Sequence, residues 1–187
     1  MTMRLVLASE SPRRRALLAS LGLEFEVLPS GFDETFHDLP PREAVRSLSV
    51  QKAMAVAGEL SEGLVVAGDT LIDFAGVPVG KPADEREAFA TLRALSGKEH
   101  VVRTATAIID ARTGRVEVDD AAATVRMREL TDEEIQAYVD TGEPLDKAGS
   151  YAIQGEGRQL IASFTGREDT IIGFPVDLFL DLLGRMT

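Results

Sequence analysis

The sequence predicts an α/β protein in which a mixed central sheet is flanked by helices, and two patterns carry that expectation. In the first half, short apolar runs of strand length alternate with segments of helical periodicity, the order that parallel crossovers require. In the middle, two β-rich stretches, 101–109 and 116–127, are separated by a single turn, the order of an antiparallel hairpin. A chain with both needs a sheet with both kinds of pairing.

Residues 4–8, with Leu5-Val6-Leu7-Ala8, read as the first buried strand. Ser11 is placed to cap the next helix and Pro12 to take its first position, where a missing N–H costs nothing. That helix is expected to run to about Leu21 and stop at Gly22. Residues 25–28 read as a strand, and 41–57 as a helix through Ala44, Val45, Leu48, Ala53, Met54 and Ala57. Leu64-Val65-Val66-Ala67 is a buried strand that runs into Gly68-Asp69-Thr70, with 71–74 and the turn-rich "AGVPVGKP" after it. "ADEREAFATLRAL" is a helix with Asp84 and Glu87 at capping-box spacing and Gly97 as its stop. Beyond the hairpin, "TDEEIQAYVDTG" is a helix with a Thr131/Glu134 capping box, ended by Gly142. Short strands are expected near 160–164 and 170–172, then a C-terminal helix from Val176.

A chain of 187 residues suits one domain over 1–187, long enough to bury a real core. No apolar run approaches the ~20 residues that span a bilayer. The apolar stretch at the N-terminus is too short for a signal peptide, so no membrane and a cytoplasmic location are expected. Cysteine is absent, which excludes disulfides, thiolate catalysis and Cys-ligated zinc. With 31 acidic against 20 basic residues the surface repels nucleic acid, whereas a small anion needs only a local basic pocket.

Such a pocket is suggested by "SESPRRR" at 9–15, since cations in a first helical turn oppose the helix dipole. Arg14 and Arg15 are expected to be solvated. Arg13 sits where unpaired helix N–H groups form an anion site, and Ser9 and Ser11 add hydroxyls. Lys81, between Gly80 and Pro82, is either a surface turn lysine or a cation on a constrained loop; the glycine spacing is not that of a P-loop. Asp69, expected at the carboxyl end of a buried strand, suits a metal ligand or general base, or a turn cap. The loop "GEPLDKAGSYAIQGEG" offers Gln154 either to a flat ligand or to its own backbone. His37 and His100 match no metal spacing and read as structural or exposed.

Taken in order from Ser9 to Pro175, S-x-S-P-R-R, the Asp-Thr strand, G-K-P, H-V-x-x-T, G-E-P-x-D-K-A-G-x-Y-x-I-Q-G and a late G-x-P resemble the Maf-like nucleotide pyrophosphatases. The likeness covers nearly the whole chain, and the long loop motif is its most specific part. It implies two lobes around a deep nucleotide-binding cleft, and hydrolysis of nucleoside triphosphates to the monophosphate and pyrophosphate with a divalent metal, Mg²⁺ or Mn²⁺. On matching positions it implies Asp69 as the catalytic acid, Lys81 and Arg13 on the phosphates, and Glu34 and Lys52 lining the site. Asp69 with Glu34 would hold the metal, and which carboxylate is base and which is ligand stays open. Arg13, Thr70 and Gln154 fall where the family tunes substrate choice.

The "AIQG" form resembles the subfamily acting on dTTP and UTP; a subfamily acting on 7-methyl-GTP carries Glu-Gly there. A uracil or thymine edge sets carbonyl acceptors beside an N3–H donor, which an amide complements, whereas a carboxylate suits the adjacent donors of guanine. Glu156 keeps the second option open. The chain departs from the family at Ala67-Gly68, where Gly-Ala is usual, and in "GREDTIIGFP". The family is also associated with septum formation, so a nucleotide-binding regulator without turnover is the rival reading. Dimers occur in the family, and the resemblance admits a homodimer.

Overall fold

The apolar runs become the centre of the sheet. In the computed structural model, which describes residues 4–32 and 39–186, β1 (Leu5–Leu7) is buried at every residue. It lies parallel to both β2 (Glu26–Val27) and β3 (Leu64–Phe74). The hairpin β4 (Val77–Val79) folds back on the far end of β3. β5 (Glu99–Asp110) and β6 (Val116–Met127) form the long expected hairpin, and β7 (Ile161–Thr165) pairs beside β6. Among the described residues the order is β2-β1-β3-β5-β6-β7, parallel at one side and antiparallel from β3 onward.

Helices cover both faces, and the strand period of two decides which side chains meet which helix. Val65 and Ala67 pack with Val6 and Ala8 against Ala53, Val56 and Ala57 of α2 (Pro41–Ala57). Leu64 and Val66 point the other way, to Leu18 of α1 (Pro12–Ala19) and to Phe179 and Leu182 of α6 (Val176–Met186). A third cluster joins α3 (Glu85–Leu95) and α4 (Asp132–Val139) to β5, β6 and the 142–157 loop. The start of α2 is tied to the sheet by ion pairs: Arg42 Nε lies 2.7 Å from Asp120 Oδ1, and Arg103 bridges Asp120 and Asp73 at 3.4 and 3.1 Å.

The local signals mostly hold. Ser11 Oγ accepts from Arg14 N, and Thr131 and Glu134 close a complete capping box. α1 ends earlier than expected, at Ala19, with Gly22 beyond it in the left-handed region. The largest departure is 170–172, which is part of the short helix α5 (Glu168–Ile172) and not a strand. Its β-branched composition suggests a strand, but acidic residues open the turn and Gly173, at φ 115°, closes it.

His100, at the start of β5, is 3 % exposed, with Nε2 2.6 Å from the Tyr151 hydroxyl and the rings edge to face. Burial lowers its pKa to about 4, against an ordinary 6.5. The unfolded chain therefore takes up a proton before the folded one does, and stability falls as pH drops from about 6.5 to 4. The expected loss is roughly 3 kcal/mol by pH 4. Urea unfolding at pH 7 and pH 4.5 should show it in the wild type, with a smaller loss in His100→Phe.

Candidate active site

The site begins as a gap in the sheet. β1 stops at Leu7, with Ala8 N donating one further bond to Val66 O at 2.7 Å, and β4 pairs with β3 only from Ile72 onward. Residues 67–71 of β3 thus have no strand on that edge among the described residues, while β5 continues along the other. A cavity of about 740 Å³ opens at the gap, walled by the first turn of α1, by β3 and by the 142–157 loop. Asp69 is therefore not at a strand end, as the sequence suggests. It is mid-strand, held there by pairing with Ala105, and the strand that ends is its neighbour β1.

Alternation along β3 then aims consecutive residues at opposite helices. Asp69 faces α2, where Lys52 Nζ lies 2.5 Å from its Oδ1; the two residues are 6 % and 3 % exposed. A buried carboxylate so placed has its charge balanced by an ammonium, which is what makes its burial tolerable. Thr70 faces α1, and its Oγ1 accepts from Arg14 Nη2 at 3.2 Å. Arg14 Nε donates to Gly173 O at 2.8 Å and Nη1 to Ser9 Oγ at 3.4 Å. Thr104 Oγ1 donates to Thr170 O at 2.7 Å and lies 2.9 Å from Thr70 Oγ1, which gives a chain of hydroxyls across the sheet.

Arg14 is thus not the solvated residue the sequence suggests. It lies one helical turn before Leu18, the buried residue of α1, and the i, i+4 relation puts both on the sheet-facing side. That spacing was the available signal. Gly68 gives the guanidinium room: a Cβ there would come within 3.2 Å of Arg14 Nε, so the local Ala67-Gly68 order suits this contact. Arg15 is exposed, as expected.

The cavity collects Ser9, Arg13, Lys52, Asp69, Thr70, Lys81 and Gln154, which are all the candidate residues except Glu34. Glu34 and His37 lie outside the described residues. The sequence reading did not assign Lys147 or Tyr151 a role, although both stand in the loop motif and line the cavity. Arg13 Nη1 approaches Asp146 Oδ2 at 3.9 Å, and Lys147 Nζ bonds the same carboxylate from the other side. Gln154 faces the cavity, whereas Glu156 is exposed outside it, with its N–H held by Glu143 Oε2 at 3.0 Å. Among the described lining residues five cationic side chains outnumber three carboxylates, in a chain of net charge −11.

Fold and cavity together define an α/β protein with a cation-lined cavity beside one buried carboxylate. The family model described as Maf-like protein matches residues 4–186, and the chain belongs to that family. Among curated relatives, the dTTP/UTP pyrophosphatase of Moorella thermoacetica is 46% identical over 181 residues, covering 96% of this chain and 93% of its own. That of Bdellovibrio bacteriovorus is 40% identical over 187 residues, 97% of each chain. The solved structure of the Staphylococcus aureus Ham1 protein shares the fold, with a TM-score of 0.53 at 16% identity, over 98% of this chain and 100% of that one.

The cavity wall depends on a close approach at Gly149, whose N–H bonds Gly80 O at 2.9 Å next to Lys81. Gly149 has φ 69°, and a Cβ there would press into the Ile72 side chain. Gly149→Ala should cost about 1–3 kcal/mol, read as a lower melting temperature.

Proposed function

We propose that the chain hydrolyses dTTP and UTP to the monophosphate and pyrophosphate. The observation that carries this reading is the cavity itself, which Arg13, Lys52, Lys81 and Lys147 line together with Asp69, and where Gln154 stands on the loop wall. The names of relatives at 40–46% identity support the same chemistry.

In this reading the cations and the N–H groups opening α1 take the triphosphate oxygens and offset the charge that grows as water attacks the α-phosphorus. The bond from that phosphorus to the bridging oxygen breaks, and pyrophosphate leaves. In the same reading Asp69 either takes the proton of the attacking water or binds a divalent cation. No group of three or more His, Asp or Glu residues that could hold a metal occurs among the described residues. One carboxylate completed by phosphate oxygens and water is nevertheless a donor set that Mg²⁺ accepts, so Asp69 fits such an ion, with Glu34 as the second candidate ligand. When bound, the ion supplies positive charge to the phosphate oxygens and acidifies coordinated water. The amide of Gln154 offers a donor and an acceptor to the base, and its place in the cavity, with Glu156 outside, favours uracil and thymine over 7-methylguanine.

The test is pyrophosphate release from a panel of nucleoside triphosphates with Mg²⁺ or Mn²⁺. Release from dTTP and UTP is expected, abolished by EDTA and restored by metal. Asp69→Asn should lower kcat by about 10²–10⁴-fold, and Gln154→Glu should cut activity on dTTP markedly. Binding of nucleotides without release would overturn the reading in favour of a regulator. Undiminished activity of Gln154→Glu would favour another base.

A further inference from the structure

Two carboxylates that line the cavity are paired with cations, and the two pairings differ in kind. Asp69 and Lys52 are both buried, and their 2.5 Å contact is a fixed part of the interior. Asp146 faces water, with its side chain 68 % exposed. Its Oδ2 lies 3.9 Å from Arg13 Nη1, beyond hydrogen-bond reach, and its Oδ1 accepts from Lys147 Nζ. Each oxygen thus takes one cation, as two oxygens of a phosphate group can. Arg13 comes from α1 and Lys147 from the 142–157 loop, and all three residues line the cavity. Partial burial opposes ionisation of Asp146, but Lys147 and Arg13 outweigh it and hold the carboxyl below its ordinary range, so it is charged at neutral pH. An exposed pairing of this kind contributes little to stability and is readily exchanged.

We propose that Asp146 is a built-in stand-in for phosphate, competing for Arg13 and Lys147 with the phosphate groups of nucleotide and pyrophosphate. The inference rests on the reading of those two cations as phosphate contacts. An entering phosphate takes both cations, and the carboxylate turns to water, which its exposure allows. Part of the attraction between anion and cations is spent on displacing it, so Asp146 weakens the hold on every phosphate bound there, the product included. Five cations line the cavity, and a field of that sign holds pyrophosphate strongly. A carboxylate that returns to the cations as the anion departs favours its release. A clamp that only organised the two cations for their ligand would be buried and hydrogen-bonded, as Asp69 and Lys52 are; Asp146 is exposed, and its contact with Arg13 is loose.

The experiment is calorimetric titration of inorganic pyrophosphate, with Mg²⁺ present, into the wild type, Asp146→Asn, Asp146→Ser and Glu10→Gln, with melting temperatures alongside. Glu10 lines the same cavity and, among the described residues, is paired with neither cation, so it controls for overall charge. The Kd for pyrophosphate should fall about fivefold in the Asp146 variants and less than about twofold in Glu10→Gln, with the gain shrinking at high salt. In an Arg13→Gln background the change Asp146→Asn should gain less, because one of the two contested cations is gone. Either Asp146 variant decides the matter if the other does not fold. Unchanged or weaker binding in folded Asp146 variants, an equal gain from Glu10→Gln, or an undiminished gain in the Arg13→Gln background overturns the inference. No measurable binding in any of these proteins overturns it as well. Titration needs no turnover, so a gain in a protein that leaves dTTP and UTP intact upholds the inference while the reading of the activity fails. Turnover without the gain does the reverse.

Discussion

Everything in this molecule is arranged around the unequal edges of one strand. β3 is paired without a break along β5 for ten residues, from Leu64 to Asp73, so its direction and side-chain alternation are fixed throughout. On the other edge only its two ends are covered by strands among the described residues, by β1 and β4. The uncovered middle is rigid because of β5 and reachable because of the gap. An active site needs both properties, and a strand end would offer less of the first.

Rigidity on one side is matched by accommodation on the other. The 142–157 loop is made of three short 3₁₀ turns with left-handed residues at Gly142, Gly149, Ser150 and Gly155. It carries no ladder, and it takes its shape from contacts made by Glu143, Tyr151 and Gly149 to itself and to the sheet.

Much of this was legible in the sequence. The caps at Ser11 and Thr131, the extent of α2 and the long hairpin follow from local chemistry, and local chemistry is what residue patterns report. The cluster of candidate residues was legible through the order of the motifs, and seven of the eight line one cavity. What escaped was tertiary. That Asp69 is mid-strand depends on where β1 stops, which is a fact about a neighbour 60 residues away in sequence. That Arg14 and not Arg15 turns to the sheet depends on the phase of α1, visible only through Leu18. The α5 turn was misread because three β-branched or aliphatic residues look alike in a strand and in a buried turn.

The chain of hydroxyls at Thr70 has a direction. The single proton of Thr104 is spent on Thr170 O, so the proton between the two threonines must come from Thr70. One lone pair of Thr70 is occupied by Arg14. What remains is one lone pair, on a side chain that lines the cavity and looks in the sequence like an adaptable donor and acceptor. Thr70 is in effect a one-way contact, and any atom that bonds it from the cavity has to bring its own hydrogen.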